Sequence, residues 1–250
     1  MNSKLPDRGS PSPADSGLVT LKRRSLSTVV ADALAKAIRD GELVPGDRIL
    51  EVPMSERLGV SRATLREAIK TLAADGLLEI REDRGAHVRR LDVDEIADMI
   101  VMRATVEGMA ARLVAGSRDP KALARIARVA LQMESESRKG KSVRWRELDT
   151  IFHETIVTAS GNPMLLKAWS NINMLLRLFM QRINPAYDSS PQQVVSNHDR
   201  FVQVLTTGSP GEAERVVRSI IVSTGFKALG RPAPAGLGQL EQEFTGEGSR

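Results

Sequence analysis

Between Leu26 and Ile38 the apolar side chains Leu26, Val29, Val30, Leu34, Ala37 and Ile38 recur at the three- and four-residue spacing of one helical face, and Asp40-Gly41 supplies a stop. The Pro45-Gly46 pair in LVPGDRIL then makes a turn. A short amphipathic piece, VPMSERLG, follows with Met54 and Leu58 four apart, and Gly59-Val60 separates it from SRATLREAIKTLAADG. This last stretch predicts a helix with Ser61 as N-cap and Leu65, Ile69 and Leu72 inward. Past Gly76 the period changes, and LLEIREDRGAHVRR predicts two short strands around the polar turn Glu82-Asp83-Arg84-Gly85. Helix, short helix, tight turn, helix and hairpin is the order of a winged helix-turn-helix, spanning residues 21–91.

From 92 to 229 the pattern is helical throughout. Six amphipathic stretches, at 92–116, 120–138, 142–160, 163–184, 191–207 and 211–228, are punctuated by Pro120, Gly140, Gly161-Asn162-Pro163, Pro185, Pro191 and Gly208-Ser209-Pro210-Gly211. Helices joined by short connectors predict an antiparallel all-α bundle, so the fold class is mainly α with a small N-terminal winged domain. Residues 1–20 and 230–250, rich in Pro, Gly, Ser and charged side chains, read as disordered tails.

Composition narrows the chemistry. The 250 residues contain no cysteine, which removes disulfides, cysteine-based zinc sites and thiol catalysis. No apolar run approaches 18 residues, and the N-terminus lacks the apolar stretch of a secretory signal, so a cytoplasmic protein without a membrane partner is expected. The net charge of +5 is too thinly spread to announce a polyanionic partner. All eight aromatic residues lie beyond position 144, which argues against an N-terminal domain that stacks single-stranded bases. Reading the groove of a duplex with arginines and small polar side chains remains open.

The predicted recognition helix starts Ser61-Arg62-Ala63-Thr64-Leu65-Arg66. Arg62 and Arg66 share a face with Thr64 nearby, and an arginine fork can grip a guanine edge or a phosphate. Arg84, Arg89 and Arg90 add positive charge on or near the wing. An isolated helix with this face would be read as merely solvated, with Glu67 and Lys70 alongside. The order of elements around it favours DNA.

The bundle carries polar residues inside apolar stripes. Arg103 and Glu107 fall among Ile96, Met99, Ile100, Ala110 and Val114; His198 falls among Val194, Val195, Phe201, Val202 and Leu205. Asp149 and His153 are four apart beside Leu148, Phe152 and Ile156. Burying such groups is costly unless they pair, hold a metal or line a cavity. Asp149, His153 and His198 suit a divalent ion such as Zn, Ni or Mn. Three readings follow: a three-ligand metal site completed by an effector, a metal-free polar pocket, and a self-satisfied Asp–His–Arg cluster. Arg103 either clamps an effector carboxylate or forms a salt bridge to Glu107 one turn on.

The stretch LVPGDRILEVPMSERLGVSRATLREAIKTLAADGLLEIREDRGAHV resembles the DNA-binding domain of the GntR family of bacterial transcription regulators. The Pro-Gly turn, the LGVSR-x-T-x-REA core, the DGL exit and the Arg-Gly-Ala wing carry the likeness. It implies that Ser61, Arg62, Thr64, Arg66 and Arg84 sit at operator DNA and that Gly85 lets the wing tip approach the minor groove. A further contacting arginine of some members falls on Val52 here. The bundle is similar to the all-helical FCD-type effector domain of the FadR branch. The marks are Arg103-x-x-x-Glu107, Asp149-x-x-Phe152-His153, Ser160-Gly161-Asn162-Pro163 and Asn197-His198. The resemblance implies a homodimeric repressor of double-stranded operator DNA, released by a small-molecule effector, a carboxylate, bound by Arg103, Asn162 and His198. Metal-binding members use residues matching Asp149, His153 and His198 plus one more His, whose slot falls on Ile220. The rival readings are a metal-dependent enzyme built on the same three residues and an architectural DNA binder without effector control.

Overall fold

A computed structural model of the chain describes residues 25–237, apart from 83, 140–142 and 184–190. The N-terminal part consists of α1 (Leu26–Asp40), β1 (Arg48–Ile49), α2 (Glu51–Leu58), α3 (Arg62–Ala74), β2 (Leu78–Arg81) and β3 (Gly85–Val88). Ser25 caps α1 by accepting from the Thr28 amide, and Gly41 ends it in the left-handed conformation (φ 84°). Val30, Leu34 and Ile38 of α1 and Leu65, Ile69 and Leu72 of α3 are buried, and the two helices pack together. The sheet runs β1-β3-β2, antiparallel, with Ile49 opposite Ala86 and Leu78 opposite Val88. All four of these side chains are buried. The two expected strands are present, and β1 is an addition. Its two residues are too few to carry a period, and only pairing with β3 makes them a strand.

The bundle comprises α4 (Val93–Ser117), α5 (Pro120–Ser137), α6 (Val143–Ala159), α7 (Pro163–Ile183), α8 (Pro191–Thr207) and α9 (Pro210–Ala228). Each expected boundary lies within one residue of the observed one. Asp92 and Glu95 form a reciprocal capping box at the start of α4, and Ser209 and Glu212 form another at α9. Helix α4 is central, packing against α6, α7, α8 and most extensively α9. That close approach depends on glycine: a Cβ added at Gly225 would lie 2.7 Å from Ile100 Cγ2.

Among the described residues, contacts at Arg89 and at Leu175 join the halves. At the end of the wing, Arg89 donates to Glu95 in the α4 capping box at 2.5 Å. Leu175 of α7 lies against the Gly76 turn, 3.6 Å from where a Cβ on that glycine would stand. Residues 231–237, within the stretch expected to be a tail, are among the described residues. Arg231 pairs with Asp94 on α4, and Ala233 and Leu237 pack against the core, so apolar contact holds the chain to 237. Residues 1–20 and 238–250 of the expected tails lie outside the described residues. No described helix is long and apolar enough to cross a membrane.

Candidate functional site

The turn between α2 and α3 presents the first group of predicted residues. Gly59 adopts φ 65° and closes α2, which lets α3 start at once. Ser61 Oγ accepts from the Thr64 amide at 3.1 Å and lies 2.9 Å from the Thr64 hydroxyl. These two residues therefore order the first turn of α3. Arg62 and Arg66 are both exposed, while Leu65 between them is fully buried. Arg66 uses its Nε–H on both carboxylate oxygens of Glu51, at 2.9 and 2.8 Å, which leaves its two Nη groups for other partners. Arg84 is exposed at the wing, and Gly85 takes φ 77° at the start of β3. A non-glycine residue would be strained there.

Inside the bundle, side chains from four helices converge. Glu107 of α4 is completely buried and accepts three hydrogen bonds. Arg103 Nε donates to Oε1 at 2.6 Å, Trp169 Nε1 of α7 donates to the same oxygen at 2.6 Å, and His153 Nδ1 of α6 lies 2.5 Å from Oε2. The other nitrogen of His153, Nε2, stands 3.3 Å from His198 Nε2 on α8. Asp149 Oδ1 lies 3.4 Å from His198 Nε2 and 3.9 Å from His153 Nε2. Phe152 and Phe201 wall the histidines, with the Phe152 ring centroid 4.3 Å from that of His198. His198 Nδ1 is buried without a hydrogen-bond partner among the described residues.

These surroundings set the charges. Burial opposes ionisation of Glu107, but attraction to Arg103 and His153 and the bonds they supply outweigh it, and its pKa falls to about 2. Burial likewise opposes the charge on Arg103, and the nearby Glu107 and Asp149 carboxylates overcome it. For His198 burial wins over Asp149, its pKa drops to about 3, and the ring is neutral at pH 7. A neutral ring is what a metal requires of histidine.

The donor set fits a divalent ion. The ligand atoms of Asp149, His153 and His198 all lie within 4.8 Å of one another. Two nitrogens on a tetrahedral zinc with bonds of about 2.0–2.1 Å stand roughly 3.3 Å apart, matching the separation of the two Nε2 atoms. Ile220 is half-buried on α9, packs against the core and can add no ligand.

The sequence-level candidates thus divide. Arg103, Asp149, His153 and His198 come together, and the Arg103–Glu107 salt bridge is present. Asn162 stands apart. It is exposed, its Oδ1 accepts from the Met164 and Leu165 amides, and it serves as the cap of α7. It lies seven residues, about 10 Å of helix, before Trp169. Glu107 as shared acceptor and Trp169 as donor were not among the expected site residues. Glu107 was visible as a carboxylate on an apolar stripe, whereas the indole's orientation depends on how α7 packs.

The family model described as "Bacterial regulatory proteins, gntR family" matches residues 26–88, and the FCD domain model matches residues 98–223, half of the chain. The chain belongs to the GntR family. This GntR protein is 29% identical over 198 residues to the probable D-xylose utilization operon transcriptional repressor of Paenarthrobacter nicotinovorans, covering 79% of this chain and 86% of that one. It is 27% identical over 219 residues to the Glc operon transcriptional activator of Escherichia coli strain K12, again covering 79% and 86%. A GntR transcriptional regulator from Rhodococcus sp. RHA1 shares the fold, with a TM-score of 0.64 at 22% identity over 82% of this chain and 97% of that one. The family and these relatives are transcription regulators, not enzymes, and the enzyme reading of the buried cluster falls with that.

Proposed function

We propose that this GntR regulator is a metabolite-released repressor. In this reading the first turn of α3 and the wing contact operator DNA, and the bundle binds a small carboxylate beside a divalent ion. The convergence of half-buried Arg103 and Asp149 on the buried His153 and His198, at the edge of an apolar core, carries the proposal. Asp149, His153 and His198 would hold the ion, which supplies a Lewis-acidic seat for an effector oxygen where Ile220 leaves the set one ligand short. Arg103, 20% exposed and bonded to Glu107 only through Nε, keeps its Nη edge for the carboxylate. Binding that favours one bundle arrangement then changes operator affinity by linkage. The name of the Paenarthrobacter relative, a repressor, supports the sign.

A homodimer is part of this reading. Met102, Met109 and Leu113 form an exposed apolar stripe on one face of α4, which suits a second copy of the chain, and a two-fold dimer reads a pseudo-palindrome.

Two measurements test the proposal. A duplex enriched by the full-length protein from a random library should bind Arg62→Ala and Arg66→Ala more weakly, by about 5- to 150-fold for a lost guanine contact. Unchanged affinity in both variants removes α3 from the interface. A thermal-shift screen of carboxylic acids with and without Zn, Ni or Mn should give a stabilising combination that His198→Ala loses. A protein that shifts with none of them, and binds DNA without sequence preference, is an architectural DNA binder instead.

A further inference from the structure

Glu107 divides its two oxygens unequally. Oε1 receives two unambiguous N–H donors, Arg103 Nε and Trp169 Nε1, both at 2.6 Å. Among the described residues Oε2 faces only His153 Nδ1, at 2.5 Å. A carboxylate can only accept, so the nitrogen of His153 that faces it must carry the proton. The lone pair is then on Nε2, the atom that faces Asp149 and His198.

His198 has no such partner. Its Nδ1 is buried and unbonded among the described residues, whereas its Nε2 lies near His153 Nε2 and Asp149 Oδ1. In the metal-free protein the arrangement is consistent if His198 carries its proton on Nε2 and shares it with those two acceptors. The histidines are therefore unequal: one is fixed in the ligating tautomer, and the other must move a proton to ligate.

We propose that Glu107 is the positioning residue of this site, holding His153 in the Nδ1–H tautomer with Nε2 bare and turning the Arg103 guanidinium by its Nε–H. One buried carboxylate on α4 thereby prepares both the nitrogen that would take a metal and the cation that would take an anion. This rests on the metal reading above only for its consequence. The tautomer itself exists without any ion.

The substitution Glu107→Gln discriminates sharply. Glutamine has one acceptor oxygen, which belongs where Arg103 and Trp169 both donate. Its NH2 then lands on His153 Nδ1 and, as a donor, forces the proton to Nε2. Metal affinity should fall, because changing such an outer partner of a ligating histidine costs about 10- to 100-fold. Trp169→Phe removes one donor from Oε1 and leaves the histidine side untouched.

The test is long-range nitrogen–proton NMR on the metal-free, full-length protein with labelled histidine, followed by titration with Zn2+ alone. With only three histidines in the chain, assignment by single substitution is direct. Expected are an Nδ1–H His153 in the wild type and in Trp169→Phe, an Nε2–H His153 in Glu107→Gln, and at least tenfold weaker Zn2+ binding in that variant only. If Glu107→Gln does not fold, Glu107→Asp, which withdraws the carboxylate by one methylene, should release His153 into a mixture of tautomers. An Nε2–H His153 in the wild type overturns the inference, as does a wild type that binds Zn2+ no more tightly than Glu107→Gln does when both bind it. A wild type that binds no Zn2+, nor Ni2+ or Mn2+ in parallel titrations, while keeping the Nδ1–H tautomer overturns the metal reading and leaves the role of Glu107 standing.

Discussion

Within one buried cluster Glu107 stays ionised and His198 stays neutral, and each state has a cost in acid. His198 has a folded pKa of about 3 against an ordinary 6.5, so its neutral burial contributes stability above pH 6.5 that is lost as pH falls towards 3. Glu107, at about 2 against 4.5, contributes stability above pH 4.5 that is lost as pH falls towards 2. Both act in the same direction. Metal-free protein should therefore melt at progressively lower temperature from pH 7 to pH 4, and His198→Gln should flatten the upper part of that fall. An equally steep decline in the variant would assign the acid sensitivity to other groups. At this scale the sequence showed which polar residues sat on apolar stripes. It did not show which nitrogen of His153 faced Glu107, because that depends on the relative rotation of α4 and α6.

At the scale of elements, helix boundaries were legible because caps and breakers are local. Pro120, Pro163, Pro191 and Pro210 each open a helix, where the missing N–H is no loss. Asn162, legible as a family mark, proves to be a cap for the same local reason: its side-chain oxygen serves the amides that Pro163 leaves at the start of α7. How closely two helices approach was not legible. Gly225 lies in the last turn of α9, still inside the helix, where glycine lowers helix stability, and the position of Ile100 on α4 explains it. Gly225→Ala should destabilise the chain by about 1–3 kcal/mol through overpacking, despite the better helix propensity of alanine. Denaturant melts would measure it, and Ile100→Val in the same chain should recover part of the loss.

At the scale of the whole molecule, two of the four helices that build the cluster, α4 and α7, also meet the DNA-reading half. Helix α4 carries Glu107 and, through Glu95, holds Arg89 of the wing. Helix α7 carries Trp169 and, through Leu175, abuts the Gly76 turn. A ligand that shifts either helix thus has a physical contact through which to bias the winged domain. Leu175→Ala should leave Zn2+ affinity unchanged while shrinking the effector-dependent change in operator affinity, read by fluorescence anisotropy with and without ligand. The mass in solution should be twice 27.3 kDa by sedimentation, and Leu113→Glu should shift it towards the monomer.

The sequence by itself determined the element order, the class of fold and the membership of the family, because periodicity, caps and motif spacing are properties of neighbouring residues. It also exposed the anomaly of polar groups on buried faces, since a stripe records which side of a helix is dry. Only the tertiary structure decided what satisfies those groups. Glu107 and Trp169 are 62 residues apart, and Glu107 and His153 are 46 apart. Nothing local relates their side chains until four helices pack. The same packing kept residues to 237 on the body of the protein and placed Arg66 on Glu51. Directional bonds between distant helices cannot be read from a one-dimensional pattern.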